Sequence, residues 1–359
     1  MSNFAETLKE RLVYLSGHHE MLPSATKIPV AQCFPASGLD AEIVRNKDYF
    51  TIRVNEMGLR DNAKWWVKYD PLVFCVVEFN YGGTRVALPV AIGPHTIKRQ
   101  WASDQPKYGS VLNDALVAGP YPYRGGDVDV SLSLYRIERD NRARTLLKMV
   151  EGLSSLFAGA GQFEMIAKVG TPLLEGVEAL LGLDQTSLLA GQRACLTPSP
   201  FSPLTSGFTL LLATPGKTDL QNVRVRERRL MYFDENEGKE LFFVASDFVL
   251  WNVIGSSRRA DESTFPFYKL KVEALRAVAE GKSGVKRGKS LLITAYQQML
   301  EAPDLTAEEA NELFSEWCGE FEGRCERFEG LKMLSPSQTT KARSARSLEY
   351  EEALERLKL

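Results

Sequence analysis

Hydrophobic and polar positions follow two rhythms along this chain. From about residue 49 to 140 the dominant period is two. Tyr49–Asn55 largely alternates apolar with polar, which predicts a half-buried strand. Leu72–Phe79 is continuously apolar apart from Glu78 and predicts a strand covered on both faces. Asn80-Tyr81-Gly82-Gly83 supplies turn chemistry, so Thr84–Ile92 is expected to return as the hairpin partner. Pro89 inside that partner predicts an edge position or a bulge. Asp127–Arg139 has the cleanest alternation, with Val128, Val130, Leu132 and Leu134 on one face.

The period then lengthens. Leu146, Met149, Val150, Leu153, Leu156 and Phe157 recur at three and four, and Leu173, Leu174, Val177, Leu180 and Leu181 repeat the pattern after Thr171-Pro172. Gly159, Gly161 and Gly170 punctuate these helices. Strand-like patterns resume at Phe208–Ala213, in a long alternating stretch Asn222–Phe233, and in an apolar partner Leu241–Ile254 after an acidic turn. Helical periodicity returns at about 266–280, 289–301 and 306–330.

The implied class is α+β. An antiparallel β-sandwich or rolled sheet carries an inserted, Gly-punctuated helical segment and a helical C-terminal part. The segments read as 1–140 (mainly β), 141–195 (helical insertion), 196–265 (β, in one arrangement the same sheet system), 266–334 (helical), and 335–359 (linker and amphipathic tail). In the tail, Tyr350, Leu354 and Leu357 share one helical face.

Charge changes the picture only locally. Lys plus Arg is 44 against 46 for Asp plus Glu, which argues against a nucleic-acid binder working by bulk charge. Five scattered cysteines make no disulfide framework. The N-terminus lacks an apolar signal core, and the longest uncharged stretch, Ala194–Gly216, is too rich in Pro, Ser and Thr to span a membrane. A cytoplasmic protein is the expectation.

Familiar chemistries are not assembled. Gly284-Val285-Lys286-Arg287-Gly288-Lys289-Ser290 resembles a phosphate-binding loop but has the wrong glycine spacing and follows a helix, so a flexible basic loop is expected there. His18-His19-Glu20 places its imidazoles on adjacent, diverging residues, and His95 is the only other histidine, so neither a metal centre nor any other cofactor is expected. No Gly-x-Ser-x-Gly elbow is present. Glu56, Asp70 and Glu78 lie among apolar strands, where hydrogen-bonded strand ends are the simplest reading.

Positive signals point to binding. Arg224, Arg226 and Arg228 alternate, with Arg229 beside them, so one strand would display guanidiniums at intervals of roughly 7 Å. The acidic helix at 306–330 could neutralise them. Trp65-Trp66 and Tyr121-Pro122-Tyr123 are aromatic clusters suited to a partner groove or to closing the end of a sandwich. The expected function is non-enzymatic binding of a protein partner, as a scaffold, adaptor or regulated component of a multi-protein bacterial system. Two alternatives stand beside it. One is a latent effector of a conflict or antiviral defence system, reaching a membrane only after activation through helices 146–183. The other is a hydrolase assembled from distant segments.

Overall fold

A computed structural model describes residues 24–60, 63–64, 67–93, 110–138, 141–154, 172–173, 175–183, 186–199, 203–214 and 220–333. The class is α+β, with antiparallel sheets and a C-terminal helical part. Two compact units divide the chain at Ser256/Ser257.

In the first unit the strands run β1 (Ser24–Lys27), β2 (Cys33–Phe34), β3 (Tyr49–Gly58), β4 (Ala63–Lys64), β5 (Val67–Tyr81), β6 (Thr84–Ile92), β7 (Ser110–Pro122) and β8 (Val128–Glu138). Helix α1 (Asn141–Ser154) follows, then β9 (Thr186–Leu196), β10 (Gly207–Leu212), β11 (Val223–Arg226), β12 (Arg229–Asp234), β13 (Lys239–Phe242) and β14 (Phe248–Ser256). The first sheet has the order β1-β10-β14-β3-β7, so it draws strands from both sides of the helical segment. The second has the order β4-β5-β8-β9, with β6 also on β5. The third, small sheet has the order β13-β12-β11-β2.

Alternation along β14 shows why these sheets stack. Val249, Trp251 and Val253 join the core that includes β5, β6 and β8 of the second sheet, where Phe50 and Phe79 meet edge-on at 5.2 Å. Phe248 and Leu250 point the other way, into a core with Cys33, Val223, Val225 and Leu230 of the small sheet. A strand covered on both faces must read as a continuous apolar run, which is how this part of the sequence reads. β6 is an edge strand, which accommodates Pro89. Helix α1 lies beside β6, where the Ser154 hydroxyl accepts the Ala91 N–H at 2.8 Å.

Four expectations need correction. Asn222–Phe233 is a hairpin rather than one long strand. Glu227 and Arg228 both have positive φ, 48° and 68°, and form the two-residue turn that matches the twist of the flanking strands. Leu241–Ile254 divides between β13 and β14, which belong to different sheets. The insertion read as helical over 141–195 ends in the strand β9, which pairs with β8 along its whole length. The fourth lies in the second unit.

Among its described residues that unit packs three α-helices: α2 (Tyr268–Ala277), α3 (Lys282–Glu301) and α4 (Ala307–Met333). The stretch Gly284–Ser290, expected to be a flexible loop, is the first half of α3. Its glycines serve packing. A Cβ on Gly284 would lie 1.9 Å from the Ala277 carbonyl oxygen, and one on Gly288 would lie 2.5 Å from the Phe321 ring. The aromatic stripe of α4 is split. Trp317 and Phe321 are 1 % exposed and belong to the core, and Phe314 and Phe328 are half-buried.

Candidate functional site

The arginines predicted as a ladder converge on the β11–β12 hairpin, but not along one strand. Arg224 and Arg226 lie on β11, Arg228 is in the turn, and Arg229 opens β12. Carboxylates of the same unit meet three of them. Arg226 grips Glu240 through both carboxylate oxygens at 2.8–2.9 Å and holds that carboxyl below its usual range. Arg228 bonds Asp114, and the Arg229 Nε is 3.9 Å from Glu56 Oε1. Arg224 donates to the carbonyls of Gln221 and Val223.

Strand alternation assigns the two faces of the small sheet. Val223, Val225 and Leu230 point into the core, so Arg224, Arg226, Arg229 and Met231 point outward. On neighbouring strands Phe34 lies opposite Arg226, and Phe242 opposite Met231. The outcome is an interleaved face of guanidiniums over rings. Arg226 stacks on Phe34 at 4.9 Å, Arg229 on Phe242 at 4.8 Å, and Arg224 on Phe233 at 5.9 Å. Phe34 is 59 % exposed and Phe242 42 %. Large exposed rings are uncommon on a surface that exists only to be solvated, and here two are held in place by cations.

Polar groups under the hairpin fix its position. Glu56 is 1 % exposed and accepts the Leu230 N–H at 2.5 Å. Asn55 occupies a register shift between β3 and its neighbours and donates to Asp114 Oδ1 at 3.0 Å. Arg53 donates to the Asp114 carbonyl at 3.0 Å. Asp114 itself has φ +40°, a sparsely populated conformation for a residue with a Cβ, and from it the side chain meets both Asn55 and Arg228. The buried Glu56 is thus hydrogen-bonded, but inside β3 beside its register shift rather than at a strand end.

The other predicted residues lie elsewhere. Tyr121 and Tyr123 are 4 % and 5 % exposed, which corrects the reading of them as a partner surface. Tyr121 packs against Phe79 at 4.9 Å and Tyr81 at 5.6 Å, and so helps to close the sandwich core. Trp65, Trp66, His18, His19, His95, Tyr350, Leu354 and Leu357 are outside the described residues. Part of the 146–183 segment is outside them too.

A second polar cluster crosses the second sheet. Glu78, Asp129 and Cys195 are aligned across β5, β8 and β9. Arg85 bridges the two acids, at 3.5 Å from Glu78 and 2.6 Å from Asp129, and Arg193 approaches Asp129 at 3.2 Å. Burial works to raise the Asp129 pKa. Hydrogen bonds from Cys195 and Arg193 and the charges of Arg193 and Arg85 outweigh it, so the carboxyl titrates below its ordinary value. The same contact with Asp129 raises the Cys195 pKa, which keeps the thiol protonated and opposes a nucleophilic role. Cys195 also borders a cavity of about 240 Å³ lined by Leu204, Thr209 and Trp251.

The sign of the pH effect follows. A carboxyl depressed in the folded state stabilises the fold above its unfolded pKa, and that contribution is lost as pH falls through the folded value. Asp129→Asn is therefore expected to flatten the acid limb of a urea-unfolding series below about pH 4. An unchanged acid limb would remove Asp129 from that role.

Among the described residues no cluster of three His, Cys, Asp or Glu could hold a metal ion. No described helix is long and apolar enough to cross a membrane. Comparison with protein-family models, with curated proteins and with solved structures finds no match to this chain.

Proposed function

We propose that this chain is a non-enzymatic binding protein, an adaptor or scaffold, and that the outer face of its small sheet receives a protein partner. The observation that carries this reading is the pair of cation–π stacks, Arg226 on Phe34 and Arg229 on Phe242, built on exposed rings. Arginine and aromatic residues dominate interface hot spots because they combine large contact area with fixed geometry. Glu240, Asp114 and Glu56 meet three of the four arginines within the same unit. The face is therefore better suited to stacking and shape recognition than to gripping a polyanion. Five unpaired cysteines fit a reducing compartment such as the cytoplasm.

The test is a Phe34→Ala/Phe242→Ala double variant of the full chain. Both rings are exposed, so the fold should survive, as circular dichroism would show. Proteins retained by the wild-type chain at native expression should fall by about tenfold or more, the effect of losing one hot-spot residue. Retention should also persist in about 1 M salt, where the Debye length is only about 3 Å. An identical retained set for both chains would overturn the reading. A partner released by nuclease, or lost steeply with salt, would replace it with nucleic-acid binding.

A further inference from the structure

The two large sheets of the first unit are offset at one side. β9 ends the second sheet and lies against β10 of the first, while the first sheet continues one strand further, to β1. Leu211 faces the core between the sheets, so its partner Ala25, and Lys27 two residues on, lie on that inner face of β1. Among the described residues no strand of the second sheet stands opposite them. Ala25 is half-buried and Lys27 is exposed.

The edge that ends there is unprotected. Proteins guard an edge strand by shortening it, breaking it with proline or a bulge, charging it, or covering it. β1 and β13 have four residues and β2 has two. β7 holds two prolines and three register shifts. β6 holds Pro89 and has α1 beside it. β9 has 11 residues, without proline or lysine. From Ala190 to Leu196 it pairs with β8 without interruption, and its one charged residue, Arg193, is drawn to Asp129. Among the described residues no strand takes its other side.

A socket lies where this edge meets the offset. The cavity of about 240 Å³ beside Cys195 is lined by Leu196 of β9, Thr209 of β10, and Trp251 and Val253 of β14, with Lys27 on its β1 side. An apolar cavity of about 150 Å³ takes up benzene, so this one has room for one large side chain. Ala194 and Leu196, on the inner face of β9, are only half-buried against the core. A further strand of the second sheet would cover them, and one of its inward side chains would enter the cavity.

The offset also selects the occupant. A second copy pairing antiparallel through its own β9 would bring its own β10 to the place that β1 holds. A single extended segment meets no such obstacle. We propose that the open edge of β9 receives an extended segment of a protein partner as the next strand of the second sheet, with one large apolar or aromatic side chain seated in the Leu196–Thr209–Trp251 cavity. Main-chain hydrogen bonds supply general affinity, and the cavity selects the side chain. This surface is separate from the arginine–aromatic face of the small sheet and does not depend on it.

Random peptides as long as β9, displayed on phage and selected on the full chain, test the proposal. Selected peptides should carry one Phe, Tyr, Trp or Leu whose replacement by Ala weakens binding at least about tenfold, the value of one buried large side chain. Thr209→Phe fills the cavity from a partly exposed strand position and should weaken binding as much, with the fold kept by circular dichroism. Two readouts need no variant of the chain. Backbone N-methyl groups at alternate peptide residues should abolish binding while those between leave it intact, and the bound peptide should slow amide exchange within residues 186–196. Failure to enrich any peptide would overturn the proposal, as would an N-methyl pattern without period two or binding that a folded Thr209→Phe chain retains. Peptides lost only from the Phe34→Ala/Phe242→Ala chain would belong to the other face and overturn it as well. So would a wild-type dimer in sedimentation that Thr209→Phe abolishes, which would give the edge to a second copy.

Discussion

Gly284→Ala should destabilise the helical unit by about 3 kcal/mol, although alanine is the better helix former by nearly 1 kcal/mol. Gly284 lies inside α3, and the Cβ it lacks would lie 1.9 Å from the Ala277 carbonyl oxygen and 2.8 Å from the Glu280 Cβ. A backbone oxygen cannot swing aside as a side chain can. The α2–α3 pair must open, and opening it uncovers the core around Ala274, Leu292 and Trp317. Gly319→Ala in α4 is the control, because nothing lies within 4 Å of its added methyl. There the propensity gain acts alone, and a gain of about 0.5–1 kcal/mol is expected. Urea unfolding followed by helical circular dichroism reads both variants. Equal signs for the two would show that Gly284 is not a packing contact.

This pair of glycines also shows where the sequence was legible and where it was not. A glycine that breaks a helix and one that lets two helices touch look alike in a single sequence. With Lys286, Arg287 and Lys289 around them, Gly284 and Gly288 read as a basic loop. Gly82-Gly83 was unambiguous, because two long β patterns flank it and both residues take positive φ in the β5–β6 turn. The β11–β12 turn has the same backbone requirement but places Glu227 and Arg228 there, so no turn residue announced it. β9 was missed because one half-exposed strand appended to helices carries little alternation. Hydrophobic rhythm therefore revealed the α+β class and most element positions. It could not reveal the recognition face. That face needs Phe34, from a proline-punctuated stretch, beside Arg226 and Phe242 beside Arg229, and only the β2–β11 and β12–β13 pairings bring them together. Nor did spacing show that Asp114 and Glu56, both distant in sequence, would meet the arginines.

Glu56→Ala should be the most damaging single change under that face, at about 3–5 kcal/mol, and it should abolish partner binding at the same time. The carboxylate is buried and performs two tasks at the base of the hairpin. It accepts the Leu230 N–H, a group that would otherwise be buried without a partner at a cost of about 1–3 kcal/mol. It also compensates the charge of Arg229, whose Nε is buried without a hydrogen-bond acceptor and lies 3.9 Å from Glu56 Oε1. Truncation removes both interactions and leaves a partly buried cation beside a cavity. Arg229 then has reason to turn toward water, and turning takes it off the Phe242 ring that it covers at 4.8 Å. Stability and recognition should therefore fall together. Glu56→Gln separates them, because the amide oxygen still accepts from Leu230 while the charge is gone. It should recover at least about 1 kcal/mol of the loss, the net value of one hydrogen bond. Binding should remain impaired, because Arg229 is still uncompensated. The measurements are urea midpoints and retention of the partner for the three proteins. If Glu56→Gln binds as the wild type does, the charge of Glu56 does not position Arg229. If Glu56→Ala unfolds at the wild-type midpoint, the carboxylate does not hold the hairpin.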